Sequence, residues 1–395
     1  MTNRHRRIPH SELEYPMKTT TGVSALALGL LLSLVLSLAA ASPASAAVTL
    51  SASPAGSGTA CSSTTPCAVV TALSKARAGD TVLLGAGSYG APVITGTGGS
   101  AAYPIKVRPL TGAAVTFSKL QTYVPNTTWT GITVTSILYV YPAAVNTVID
   151  GFSVTGAGSY LRANGTVVRN SLFEGGVGVD AVQIKNATDV RLDHNTIRNY
   201  AAAATGEVHV DCVQIFDAAQ VTLVRNSISN CSNAGVTLSP GVGLGIQGVT
   251  LESNFIQGCI VITATCKGGA AIDVREISAT GVVVRNNTIV DGATRVVPRP
   301  GLVFDRNVVD FLADCTAPMT NTVVEAWNTG SCATPSALGT SGNRQGAVAF
   351  VNQPTGDLHV TSVADATVVP SFALASTVTG FDGFALRGTT AGADE

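Results

Sequence analysis

The chain has 395 residues, a formal net charge of −1, 12% charged residues and 41 glycines. Its Lys and Arg residues are scattered rather than gathered in a stripe, which excludes the electrostatic footprint of a nucleic-acid-binding protein. Eight cysteines without a C-x-x-C pair argue for disulfides in an oxidising compartment and against a zinc site.

The first predicted element is a signal peptide over residues 1–46. Lys18 supplies its positive end, Val23 to Ala41 is apolar and uncharged, and Ala44-Ser45-Ala46 reads as a small-residue cleavage site. The apolar run is near the ~20 residues of a membrane span, but the A-x-A ending favours cleavage over anchoring. Residues 1–16 precede Met17-Lys18 and read as a start-site artefact. Loss of 1–46, with its four basic and two acidic residues, leaves a net charge of −3. The expected product is a secreted, extracellular monomer without membrane contact.

Residues 47–78 are predicted to form an N-terminal cap. Cys61 and Cys67 bracket a short Ser/Thr/Pro loop, and Val69, Leu73 and Ala76 then recur at helical spacing. Ala78-Gly79-Asp80-Thr81-Val82-Leu83-Leu84-Gly85-Ala86-Gly87-Ser88-Tyr89 reads as turn, strand, turn.

From 79 to 345 the sequence is dominated by an imperfect repeat. Its copies include VVRNSLF (167–173), VRLDHNTI (190–197), VTLVRNSI (221–228), VTLESNFI (249–256), VVVRNNTI (282–289) and VFDRNVV (303–309). Alternating apolar residues indicate strands. A unit of 20 to 33 residues holding two or three short strands indicates one turn of a solenoid. The asparagines at 170, 195, 226, 254, 287 and 307 are expected at the bends. There they would adopt left-handed geometry and stack their amides along the interior. Cys315 and Cys332 bracket a late loop. Residues 346–395 are expected to close the solenoid.

The opening around Gly79-Asp80-Thr81 resembles that of pectin-lyase-like proteins, and the tail from Phe381 to Glu395 resembles the closing segment of secreted bacterial β-helices. The resemblance implies an all-β, single-stranded right-handed parallel β-helix with a short N-terminal capping helix.

Chemistry concentrates between 179 and 276. Val179-Asp180-Ala181-Val182-Gln183-Ile184-Lys185 and Val210-Asp211-Cys212-Val213-Gln214-Ile215-Phe216 are 31 residues apart, so Asp180 stacks on Asp211 and Gln183 on Gln214. Carboxylates on strands ~4.8 Å apart repel, which raises one pKa and prepares an acid and a base for glycosidic-bond cleavage. His209 is a candidate acid or base beside Asp211, with Gln214 as a sugar-hydroxyl ligand. Asp180, His209 and Asp211 are therefore the candidate catalytic residues; Gln183, Lys185, Gln214, Asp273 and Arg275 are the candidate substrate ligands. Glu276 and Lys267 add to the charge nearby, and the long loops 198–208 and 229–247 are candidate cleft walls. Tyr160, Phe173, Tyr200, Phe216 and Phe255 are the candidate sugar platforms. Structural readings compete: stacked Asp can bind turn amides, and stacked Gln can form an outward ladder.

Asp211-Cys212-Val213-Gln214-Ile215 followed by Cys231 resembles the polygalacturonase family over about 179–276. The family resemblance implies that Asp180 and Asp211 are catalytic aspartates and that Cys212 pairs with Cys231. Val210 stands in place of the family's first aspartate of a pair, Asn233-Ala234-Gly235 lacks its histidine, and Asp273-Val274-Arg275 keeps only the cationic end of its Arg-Ile-Lys clamp. By the residues alone, connectivity among Cys212, Cys231, Cys259 and Cys266 stays open; the expected set is Cys61–Cys67, Cys212–Cys231, Cys259–Cys266 and Cys315–Cys332. The expected partner is a polysaccharide. Hydrolysis needs no metal or other cofactor, a lyase acting on an acidic glycan would call for Ca²⁺, and a non-catalytic glycan-binding or surface-structural role is the third alternative.

Overall fold

The computed structural model describes residues 46–205, 209–243, 245–368 and 378–394. The signal peptide assigned to 1–46 lies outside the described residues except for Ala46. Among the described residues no helix is long and apolar enough to cross a membrane.

The central coils each contribute strands to three parallel sheets. Sheet 1 has twelve strands, from Thr49–Ala52 to Met319–Thr320. Sheet 2 includes Thr196–Tyr200, Ser227–Cys231, Phe255–Gln257, Thr288–Val290 and Val308–Leu312. Sheet 3 includes Gly158–Leu161, Val182–Lys185, Asp211–Phe216, Ala234–Leu238 and Ala270–Val274. Period-2 alternation puts every second side chain inside, where coil-to-coil register stacks like on like. Val168, Leu192, Leu223, Leu251, Val284 and Phe304 form one such interior column, and Ile197, Ile228, Ile256 and Ile289 another. All are essentially buried, worth about 1.5–3 kcal/mol each relative to exposure.

The capping helix is Val69–Lys75, with Val69, Ala72 and Leu73 buried. The first strand of sheet 1, Thr49–Ala52, precedes it and pairs in parallel with Thr81–Leu84. The four disulfides are Cys61–Cys67, Cys212–Cys231, Cys259–Cys266 and Cys315–Cys332.

The amide ladder runs through Asn195, Asn226, Asn254, Asn287 and Asn307. Each Nδ2 donates to the next Oδ1 at 2.9–3.1 Å. Each backbone N–H donates to the same neighbouring oxygen. Two details differ from expectation. Asn170 is one residue out of column: Ser171 takes the ladder place, its N–H donating to Asn195 Oδ1 at 3.1 Å. The left-handed residue is the one before the ladder position. Asn170, His194, Arg225, Ser253, Asn286, Arg306 and Asn321 all have φ between 47° and 55°. The ladder asparagines hold the bend by hydrogen bonding, so the residue that pays the conformational cost can be of almost any type.

The C-terminal residues lie along the outer face of sheet 2. A hairpin of Phe350–Asn352 and Asp357–Val360 is antiparallel. Val348, Ala366, Val368 and Ala391 pack on Val308 and Val323, and Leu358 and Ala393 pack on Phe255 and Val290. Ser253 Oγ donates to Thr379 O at 2.7 Å and Gln257 Nε2 to Gln353 O at 2.8 Å.

Candidate functional site

A groove of about 450 Å³ opens on the outer face of sheet 3, lined by His209, Asp211, Gln214, Asn233, Thr237, Ser239, Asp273, Arg275, Glu276 and Arg295 among others. Register explains the gathering. Gln214 pairs with Thr237, Thr237 with Asp273, and Asp273 with Arg295. Residues scattered over 82 positions of sequence thus fall into one outward column. One wall is the turn after Ala234–Leu238, pinned by Asp217: its carboxylate accepts N–H groups from Val242, Gly243 and Gly245 at 3.1, 2.9 and 3.2 Å. Gly241 has to be glycine, because a Cβ there would stand 2.0 Å from Asp217 Oδ1.

Asp211 starts its strand at the groove floor and is 1% exposed. Its N–H donates to Asp180 Oδ1 at 2.9 Å, and its Oδ1 accepts from Asn233 Nδ2 at 2.7 Å. Burial pushes its pKa up to about 7, against the hydrogen bonds from Asn233 and the Ala234 amide and with help from the negative charges of Asp180 and Asp273. Asp273 goes the other way. Burial works to raise it, but Arg275, at 2.9 and 2.6 Å, and Arg295, at 3.2 Å, hold it below the usual carboxylate range. One groove therefore contains a carboxyl that is half protonated near neutrality and a carboxylate that stays ionised.

The structure places the sequence-derived residues in two groups. His209, exposed at the rim, together with Asp211, Gln214, Asp273 and Arg275, lines the groove. Asp180, Gln183 and Lys185 belong to the preceding coil. Asp180 binds the Asp211 amide and lies 3.4 Å from Gln183 Nε2. Gln183 donates to Gln214 Oε1 at 3.1 Å, and Gln214 donates to Ser239 Oγ at 3.2 Å. Lys185 Nζ stands 4.6 Å from the Phe216 ring centroid.

Of the candidate sugar platforms, Phe173, Tyr200 and Phe255 are 1%, 0% and 2% exposed, and none of them lines the groove. The first two point inward; Phe255 is stacked against Phe381 of the C-terminal segment. Tyr160 and Phe216 remain half-buried on sheet 3. Asn233 and Arg295 are groove residues that sequence reading did not single out. The signal for Arg295 was its place one coil beyond Asp273. Outside the groove, His359, Asp382 and Asp394 bring potential ligand atoms within 4.8 Å of one another; this is the one such grouping among the described residues.

A family model described as right handed beta helix region matches residues 136–309. No curated protein matches by sequence. Among solved structures, XylC in complex with xylose is 10% identical, covering 87% of this chain and 98% of its own, with a TM-score of 0.50. Pectate lyase Pel9A is 16% identical over 87% of this chain and 88% of its own, TM-score 0.46. A rhamnogalacturonan lyase is 13% identical over 75% and 87%, TM-score 0.47. The matched region and the stacked parallel sheets, with the architecture shared with XylC, identify the chain as a right-handed parallel β-helix.

Proposed function

We propose that the protein is a secreted enzyme that hydrolyses glycosidic bonds of an extracellular polysaccharide in the groove on sheet 3. One observation carries the reading: Asp211 and Asp273 share a groove while their surroundings drive their protonation apart, which is the equipment of acid-assisted bond cleavage. Asp211 donates its proton to the departing glycosidic oxygen as the bond from the anomeric carbon breaks. Water attacks that carbon, and His209 takes the water's proton. The ionised Asp273 faces the positive charge developing on the sugar ring, and Gln214 and Arg295 hold ring hydroxyls. Asp180 is a positioning residue, fixing Asp211 through its amide and holding its pKa up. The xylose complex of the XylC neighbour is compatible with a sugar ligand on this architecture. Four disulfides fit an exported protein.

The test is product chemistry. Incubation with a panel of plant, algal and bacterial polysaccharides is expected to release reducing ends without ultraviolet absorbance and without sensitivity to a chelator. Absorbing, unsaturated ends would instead make the protein a lyase. The 1% exposure of Asp211 favours a second reading, a glycan-binding β-helix that cleaves nothing; binding without product on any substrate would establish it.

A further inference from the structure

The outer face of sheet 3 carries a second feature, on the coils before the groove. Four of the chain's eight tyrosines stand there. Their rings form one continuous stack: Tyr123 to Tyr141 at 3.9 Å between centroids, Tyr141 to Tyr139 at 4.0 Å, and Tyr139 to Tyr160 at 5.4 Å. The Arg162 guanidinium lies 5.4 Å from the Tyr160 centroid and 5.9 Å from that of Tyr139. It also hydrogen-bonds the Gln183 side chain, the first member of the amide chain that leads through Gln214 to Ser239 in the groove. Register makes the path unbroken, since Tyr139 pairs with Tyr160, Tyr160 with Gln183, Gln183 with Gln214 and Gln214 with Thr237.

The ring faces lie against one another, so they stiffen the sheet, and a ligand meets ring edges and hydroxyls. Phenylalanine would stack as well. What tyrosine adds is a row of groups that both donate and accept hydrogen bonds, continued by guanidinium and amides. From Tyr139 through Tyr160, Gln183 and Gln214 the row repeats at the coil spacing of ~4.8 Å, and Tyr123 and Tyr141 stand beside its start, two residues further along their coils. A peptide strand, which rises ~3.4 Å per residue, falls out of step with it; an extended chain of pyranose rings, with hydroxyls on every unit, keeps step.

We propose that this strip is a binding platform for a linear glycan lying along the solenoid axis, about one sugar per coil, which feeds the chain into the groove. The choice of a glycan rests on the polysaccharide reading above but not on its catalytic assignments. From Tyr123 to Ser239 the strip crosses six coils, about 24 Å, so affinity rises with chain length up to about six sugars and then levels off.

The test is affinity electrophoresis through gels holding polygalacturonate, alginate or arabinoxylan, with three proteins: wild type, Asp211→Asn, and a triple variant Tyr123→Phe, Tyr139→Phe, Tyr160→Phe that keeps the stack and removes hydroxyls. Wild type and Asp211→Asn are expected to be retarded alike by at least one polysaccharide. The triple variant is expected to lose at least about tenfold in affinity with unchanged thermal unfolding. Retardation of the wild type by none of the three, or equal retardation of the triple variant, would overturn the platform. So would affinity that levels off at two or three sugars in a size series of the bound polysaccharide. Retardation without any cleavage by the wild type leaves the platform standing and removes the hydrolytic assignment instead.

Discussion

At the residue scale the account turns on the environment of Asp211, and each neighbour has a signed effect. The Asn233 hydrogen bond favours its ionised form and the Asp180 charge disfavours it. Asn233→Ala is therefore expected to move the alkaline limb of the pH–rate profile upward, and Asp180→Asn, which keeps an oxygen for the Asp211 amide, to move it downward. Rate measurements from pH 5 to 9 check both; two variants with unshifted limbs would remove Asp211 as the titrating acid. Asp211 and Gln214 were legible in the sequence because the Asp-x-x-Gln phrase recurs one coil apart, and His209 because it lies two residues before Asp211. Arg295 was not, because it reaches the groove from another coil and carries no local motif; Asn233 stood out only as part of the segment that lacks the family's histidine, and its bond to Asp211 depends on the pairing of Asp211 with Ala234. Phe173 and Tyr200 are unavailable as platforms because they take inward places on their strands, Phe173 in the column of Ile197.

At the element scale the amide ladder and the C-terminal segment do the holding. Asn254 is fully buried, and it accepts from the Asn226 amide and side chain while donating to Asn287 and to Leu223 O. Asn254→Ala is expected to cost about 2–4 kcal/mol in urea unfolding, since several buried partners lose their bonds at once. Asn170→Ala removes an exposed hydrogen bond to Asp150 Oδ1 and puts alanine at a left-handed surface position, and is expected to cost about 1–2 kcal/mol; Asn170→Gly, which loses the same bond but fits the backbone, should cost less still. A loss at Asn170→Gly as large as at Asn254→Ala would mean that position 170 belongs to the ladder after all. The repeat predicted the ladder, but the fragment VVRNSLF holds its asparagine one position early, which only the pairing of Val168 with Leu192 exposes. Truncation after residue 345 uncovers Phe255, Val290, Val308 and Val323. The truncated protein is expected to bind a hydrophobic dye and to aggregate; a soluble, dye-negative product would contradict the packing described. That contact joins residues at irregular separations, from 25 positions (Val323 and Val348) to 138 (Phe255 and Ala393), and breaks the repeat, so no periodicity announces it.

At the scale of the whole molecule the buried acids set the response to pH. Asp211 and Asp310, the latter pushed up by burial beneath the C-terminal segment near Val348 and Phe350, both titrate at about 7 in the folded state, against ~3.9 unfolded. Between those values the folded protein holds more protons, so stability falls as pH rises from ~4 to ~7. His359, raised mainly by Asp357 against its own burial, acts in the same direction, losing its contribution as pH climbs through its folded pKa. Asp193 and Asp273, held low by arginines, lose theirs only in stronger acid. The urea midpoint is thus expected to be higher at pH 5 than at pH 8; equal midpoints would show these acids to be hydrated. The solenoid itself was legible from the repeat because every coil restates the same interior columns, whereas the groove depends on outward positions, where each coil differs. The most direct measurement of the central claim is reducing-end release by wild type and Asp211→Asn from pH 5 to 9 on a polysaccharide that the protein cleaves. The account predicts wild-type activity that declines above pH ~7 and a loss of about 10²–10⁴-fold in Asp211→Asn with its fold intact. Near-normal cleavage by Asp211→Asn would contradict it.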